Sequence, residues 1–303
     1  MSNTKDFLKL HFIVLIWGFT AILGLLISIN SVEIVFYRTL MASVTLWVML
    51  KLRKRNLNIG KAAILKVTGT GLIIAAHWIL FFAAARVSTA SVCLAGAATC
   101  SLWTSFIEPL FNRRKVKGFE VGLGLIVILG LYVIFQFEFN HALGLFMGIM
   151  AAMLAAVFSV INGKFSKEHN QFVITFYEMA GACIGSLLFF PLYKYFFLQG
   201  EELQLIPQGM DWFYLIILSL ICTVYAFSAS VELMRRISAF MVNLTINLEP
   251  VYGILLAVIV FGDKEKMEPG FYIGTGIILL AVLLYPLLNK IFKRKPLEVD
   301  NLR

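Results

Sequence analysis

Residues 118–137 read GFEVGLGLIVILGLYVIFQF, and residues 270–289 read GFYIGTGIILLAVLLYPLLN. Each opens on Gly-Phe-x-x-Gly-x-Gly, and between them they carry a single charge, Glu120. Twenty apolar residues in a helix, rising 1.5 Å each, cover about 30 Å, the thickness of a bilayer's hydrocarbon. Both segments therefore read as membrane-spanning helices, and their shared opening reads as an internal repeat.

The rest of the chain fits that reading. Of 303 residues, 60% are hydrophobic and 14% charged, against roughly 25% charged in a soluble domain. Mean hydropathy is +0.87. One water-soluble core could not hide so many apolar side chains, and short loops leave no room for a sizeable soluble domain. Apolar runs between charges give ten expected spans: 11–29, 32–50, 67–85, 88–110, 119–137, 142–161, 172–190, 212–231, 238–260 and 271–289. Cys93, Cys100, Cys183 and Cys222 all fall inside apolar runs. They match no metal spacing and read as reduced, buried thiols. The first apolar stretch lacks a small-residue cleavage site, so the first helix is expected to stay in the membrane.

The net charge of +9 in a soluble protein would raise nucleic-acid binding. Here the basic residues sit in loops, where they set orientation. With the N-terminus inside, 21 of the 26 Lys and Arg fall on the inner side, among them Arg53, Lys54, Arg113, Arg114, Lys115, Arg235 and Arg236. Four fall outside (Arg86, Lys194, Lys264 and Lys266), and Arg38 lies within a span. Both termini are expected in the cytoplasm.

Two further echoes support the repeat. Arg86-Val87-Ser88 before span four matches Arg236-Ile237-Ser238 before span nine, and Phe36-Tyr37-Arg38 matches Phe176-Tyr177-Glu178. The order is kept, at offsets of 150 and 140 beside the 152 of the opening pair. An odd number of spans per half turns the second half upside down. The loop Asn112-Arg113-Arg114-Lys115 accordingly becomes Gly262-Asp263-Lys264-Glu265-Lys266. The expected architecture is an all-α integral membrane protein of ten helices in two inverted five-helix repeats, 1–139 and 140–291, followed by a basic cytoplasmic tail, 292–303. Such repeats are typical of secondary transporters, which open a central site to either side.

Several residues now resemble a known group. Trp17-Gly18, Phe36-Tyr37-Arg38, Asn247-Leu248-Glu249-Pro250-Val251-Tyr252, Phe261-Gly262-Asp263 and the glycine-spaced span that follows are similar to those of the EamA-type transporters of the drug/metabolite transporter superfamily. The resemblance covers nearly the whole chain. It implies a ten-helix carrier in a bacterial-type inner membrane, exporting amino acids and other small metabolites. The first half departs from the pattern: Thr99-Cys100 stands where Glu249-Pro250 would be matched, and a Glu-Pro pair appears nine residues on, at Glu108-Pro109. Asp263 replaces the usual Glu.

Candidate site residues follow from the cost of polar groups at membrane depth. Arg38 and Glu178 are repeat counterparts, about seven residues into their spans from opposite faces. They read either as gates, clamping a zwitterion's carboxylate and ammonium, or as anchors between helices. Glu249 lies near the midplane, with Thr245 and Tyr252 on its helical face. Pro250 cannot donate to the carbonyl of Ile246 and is expected to kink or break the helix, beside a water-filled cavity. Glu249 is then a candidate for proton coupling, or else a hinge residue. His77, Asn243, Asn247, Tyr225, Ser159 and Asn162 lie at similar depth; Trp17 and Thr20 share a face of span one; Tyr37 and Tyr177 flank the paired charges.

The sequence shows no His-Glu-x-x-His, no Gly-x-Ser-x-Gly, no intramembrane Asp and no phosphate-binding Gly-Lys-Ser/Thr. An intramembrane enzyme or an ATP-driven pump is disfavoured, and no cofactor is expected. A channel or a non-transporting receptor is the main rival to a carrier. Expected partners are a small-molecule substrate and the lipid bilayer, with no nucleic acid. Spans five and ten are expected at the periphery or at the contact of a homodimer.

Overall fold

The computed structural model describes residues 4–113, 115–116, 118–137, 139–196 and 206–291. The basic tail lies outside them. Eight helical stretches among these residues are long and apolar enough to cross a bilayer: α1 (Thr4–Leu26), α2 (Ser31–Leu52), α3 (Lys61–Val87), α4 (Ala90–Phe111), α6 (Ala142–Glu168), α7 (Gln171–Phe196), α8 (Asp211–Leu233) and α9 (Ala239–Glu265). Two further apolar helices, α5 (Gly118–Phe137) and α10 (Pro269–Ile291), complete the set. The chain is a multi-pass membrane protein.

Some helices outrun their apolar runs. α1 begins at Thr4 rather than near residue 11, because its charges have partners. Asp6 accepts a forked bond from Arg236, at 2.9 Å from Nη2, and Lys9 pairs with Glu232 at 2.9 Å. The Asp6 bond holds the Arg236 guanidinium above its ordinary range. Glu232, which also lies 3.6 Å from Arg236, thus ties α8 to α1.

The two repeats face each other through counterparts. α2 packs on α7, α4 on α9 and α5 on α10, while α3 lies against both α6 and α7. Small residues permit this. A Cβ on Gly181 would meet the backbone of Thr68, and one on Gly71 would meet the backbone of Glu178 and Ala182, so α3 and α7 touch main chain to main chain. Gly130 of α5 and Gly274 of α10 meet in the same way. That face of α5 and α10 is therefore used within the chain, while Gly122 and Gly276 face open space.

The end of the bundle opposite the α1 N-terminus is tied by polar contacts. Arg86 donates to the carbonyls of Gly24 and Ile27. Asp211 accepts from the Ser28 N–H and hydroxyl. Glu265 accepts from the first N–H groups of α4, at Ala90 and Ser91.

Three helices break at mid-depth. α1 breaks at Gly18-Phe19, α4 around Ala98-Thr99, and α9 at Asn247-Leu248. In α9 the cause is Pro250, which lies in the first turn of the continuing segment, Glu249–Phe261. In α8, residues Ile217–Tyr225 form a π-helix.

Candidate functional site

The breaks of α1 and α9 lie side by side. Gly18 stands against Tyr252 and Gly253 of α9, where even a Cβ would be a tight fit. This apposition sets Trp17 and Thr20 next to Glu249, which heads the second segment of α9. Thr20 Oγ1 is 2.7 Å from the Trp17 carbonyl and 3.4 Å from Glu249 Oε1. Its single proton goes to the nearer oxygen, so the contact with Glu249 is the weaker.

The π-helix of α8 holds two residues of the cavity wall, Trp17 and Arg38, in place. Its wider turns present the Cys222 carbonyl to Trp17 Nε1 at 2.9 Å. Thr223 donates to the Leu218 carbonyl at 2.8 Å and accepts from Arg38 Nε at 2.7 Å. The Arg38 guanidinium then lies 3.8 Å over the Trp78 ring and 5.9 Å from that of Phe82. This is a cation–π site shielded from water. Arg38 is only 2% exposed, yet four of its five N–H donors have no hydrogen-bond partner among the described residues. It also interacts electrostatically with Glu249.

Beside these residues lies a cavity of about 100 Å³. One water needs roughly 10–15 Å³ on the same measure, so there is space for a small solute. Trp17, Trp78, Phe81, Phe158 and Phe227 line it, with Arg38, Glu249, Thr20, His77, Ser159, Asn162, Ser230 and Asn243 as polar points. His77 Nδ1 bonds the Ala151 carbonyl at 2.8 Å. Nδ1 must be the donor there, which leaves Nε2 of the neutral ring as an acceptor. Asn243 donates to Thr104 at 2.8 Å, and its carbonyl oxygen is unpartnered. Met234 lines the cavity from just past the end of α8, so the cavity extends far toward the bundle face that carries the α1 N-terminus. At the other face its outermost residues, Thr20 and Phe81, stop six residues short of the helix ends Leu26 and Val87.

Of the residues singled out in sequence, Trp17, Thr20, Arg38, His77, Asn243 and Glu249 line one cavity, as do Ser159 and Asn162. Glu178, Tyr37, Tyr177, Tyr225 and Asn247 are not among the lining residues. Tyr37 packs edge-on against Trp212 and Phe36, and the Tyr177 hydroxyl donates to the Leu57 carbonyl. Tyr225 is 45% exposed on the outer surface beside Phe12, because the π-helix rotates it outward. Asn247 donates to Ser101 across the α4–α9 contact. α7 supplies none of the lining residues. Sequence reading missed Trp78, Thr223 and Ser230. Only the burial of Arg38 called for partners, and it did not name them. Among the described residues no three His, Cys, Asp or Glu side chains converge to hold a metal ion.

A family model described as the EamA-like transporter family matches residues 8–136 and again 142–286. No curated protein matches. Twenty-eight solved chains do. One, a crystal structure, aligns with a TM-score of 0.70 at 15% identity, covering 95% of this chain and 100% of the other. At that identity the likeness is one of fold.

Proposed function

The chain belongs to the EamA-like transporter family, and we propose that it is a secondary carrier exporting small polar metabolites such as amino acids across a bacterial-type inner membrane. In this reading all ten helices span, the two five-helix halves are inverted, and both termini are cytoplasmic. The observation that carries it is the cavity between the breaks of α1 and α9. It sets a cation, Arg38, and an anion, Glu249, in one aromatic-walled space. A zwitterion's carboxylate would take the free N–H groups of Arg38, its ammonium Glu249, and its apolar part the rings.

Alternating access gives the cavity its use. It extends here nearer to the face with the α1 N-terminus, while the other face is tied by Arg86, Asp211 and Glu265. With basic loops inside, this is the cytoplasm-facing state. The outward-facing state requires those ties to part and the helix ends at the α1 N-terminal face to draw together. Membership of a transporter family supports the reading of a carrier rather than an enzyme.

The test is uptake of a panel of labelled amino acids and metabolites into liposomes holding the purified protein. Saturable uptake of at least one solute, lost in Arg38→Ala and Glu249→Gln at matched incorporation, is expected. Wild-type transport by both variants would overturn the assignment of the cavity.

A further inference from the structure

Five carboxylates among the described residues are almost wholly removed from solvent: Asp6, Glu33, Glu178, Asp211 and Glu265. Four have fixed donors. Asp6 takes Arg236, Glu33 the Asn30 N–H, Asp211 the Ser28 N–H, and Glu265 the N–H groups of Ala90 and Ser91. Glu178 differs. It is 0% exposed, and both its oxygens are buried without a hydrogen bond. The polar side chain that acts on it is Asn162, whose amide nitrogen and oxygen are equally unpartnered. The Ser228 hydroxyl, also unpartnered, stands at similar depth. Glu178 is seven residues in from Gln171, Asn162 six from Glu168 and Ser228 five from Leu233. That segment of α8 packs against both α6 and α7.

The chemistry of these neighbours is selective. A fixed N–H or guanidinium favours only the anion of a carboxyl group. An amide or a hydroxyl both donates and accepts, so it can serve the acid as well as its anion. An anion with no charged partner and no fixed N–H donor, out of water, is costly, and Glu178 needs something that neutralises it. Among the described residues no charged group does so. On the elements packed against α7, Arg38 is engaged with Thr223 and Trp78, His77 with Ala151, and Glu33 with Asn30. Arg86 bonds the end of α1. Glu232 pairs with Lys9, and Cys222 offers its carbonyl to Trp17. Lys51, Lys61, Lys66, Lys164 and Lys167 are exposed, away from the buried carboxyl. Cys183, on α7 itself, faces Thr39. A metal cation would need a shell of oxygens and the room to hold it, and would meet the amide N–H of Asn162. A proton needs neither.

We propose that Glu178, with Asn162, is a proton-binding site that couples the transport cycle, set one side chain behind the cavity wall. Asn162 lines the cavity and so joins the two. A proton from cavity water forms an O–H bond to a Glu178 oxygen in one state of the carrier; in the other the bond breaks and the proton returns to water. The proposal rests on the carrier reading above and moves proton coupling from Glu249, which faces the cation Arg38, to Glu178.

The proton is itself the probe. Acid–base infrared difference spectra of the full chain in liposomes should show a carboxylic-acid carbonyl band. The band should be absent in Glu178→Gln, shifted in Asn162→Ala and kept in Glu249→Gln. A band unchanged by Glu178→Gln, or no such band in the wild type, would overturn the site. A second measurement uses a labelled mixture of zwitterionic amino acids. Glu178→Gln, isosteric and permanently neutral, should keep exchange of labelled for unlabelled solute while losing all acceleration by a pH gradient. Equal acceleration in wild type and variant would overturn the coupling. Absence of exchange in the wild type would instead overturn the carrier reading, and the infrared result would still decide the proton site.

Discussion

Arg38 meets its neighbours through shape as much as charge. A planar guanidinium can lie flat on Trp78 while its Nε reaches Thr223. Lysine keeps the charge and loses both features. Arg38→Lys should therefore lower the transport rate about tenfold or more, since a stacked contact and a charge-assisted hydrogen bond are each worth about 1–2 kcal/mol. Its thermal midpoint should stay within a few degrees of wild type. Transport by Arg38→Lys at the wild-type rate would mean that only the charge matters. Thr223→Val tests the same contact from the other side. It should weaken transport in the same direction and by a smaller factor, because Trp78 still holds the ring face.

At the scale of the helix, backbone approach decides which glycines matter. Gly181 lies against the main chain of Thr68, whereas a Cβ at Gly276 meets nothing. Overpacking costs about 1–3 kcal/mol, and here the obstacle is backbone, which cannot rotate away. Gly181→Leu should lower the detergent-solubilised protein's thermal midpoint markedly, while Gly276→Leu should leave it unchanged. Equal effects would show that α3 and α7 do not meet as described. The polar bonds between α4 and α9, from Asn243 to Thr104 and Asn247 to Ser101, are weaker glue, at about 0.6 kcal/mol each in a membrane protein.

Legibility in the sequence divides along similar lines. The helices were readable because lipid selects apolar runs, and the α9 break because Pro250 removes a donor. The convergence of Trp17, Thr20, Arg38 and Glu249 could be suspected from burial cost alone. The π-helix of α8 could not, since Ile217–Tyr225 carries no residue that demands it. That one irregularity turns Tyr225 outward and Thr223 inward, which accounts for both a misplaced candidate and a missed one. Trp78 was hidden for another reason: a cation–π partner is fixed by tertiary packing, and nothing in the spacing from residue 38 to 78 signals it.

For the whole molecule, loop charge and repeat symmetry make one claim about orientation. Arg55, in the loop after α2, should be cytoplasmic, and Lys264, near the end of α9, should be outside. In a cysteine-free background and intact cells, a membrane-impermeant thiol reagent should label Lys264→Cys and spare Arg55→Cys. The reverse pattern would invert the topology and place the cavity mouth outside. Cys100 extends the test, since among the four native cysteines it alone lines the cavity. It should react from the cytoplasmic side, and more slowly when a transported solute is present.

The measurement that bears most directly on the account is counterflow in proteoliposomes, with unlabelled amino acids inside and labelled ones outside. A carrier that alternates around the Arg38–Glu249 cavity predicts saturable uptake, accelerated by the internal solute and abolished by Arg38→Ala. Uptake that rises without saturation and ignores the internal solute would contradict it and indicate a channel.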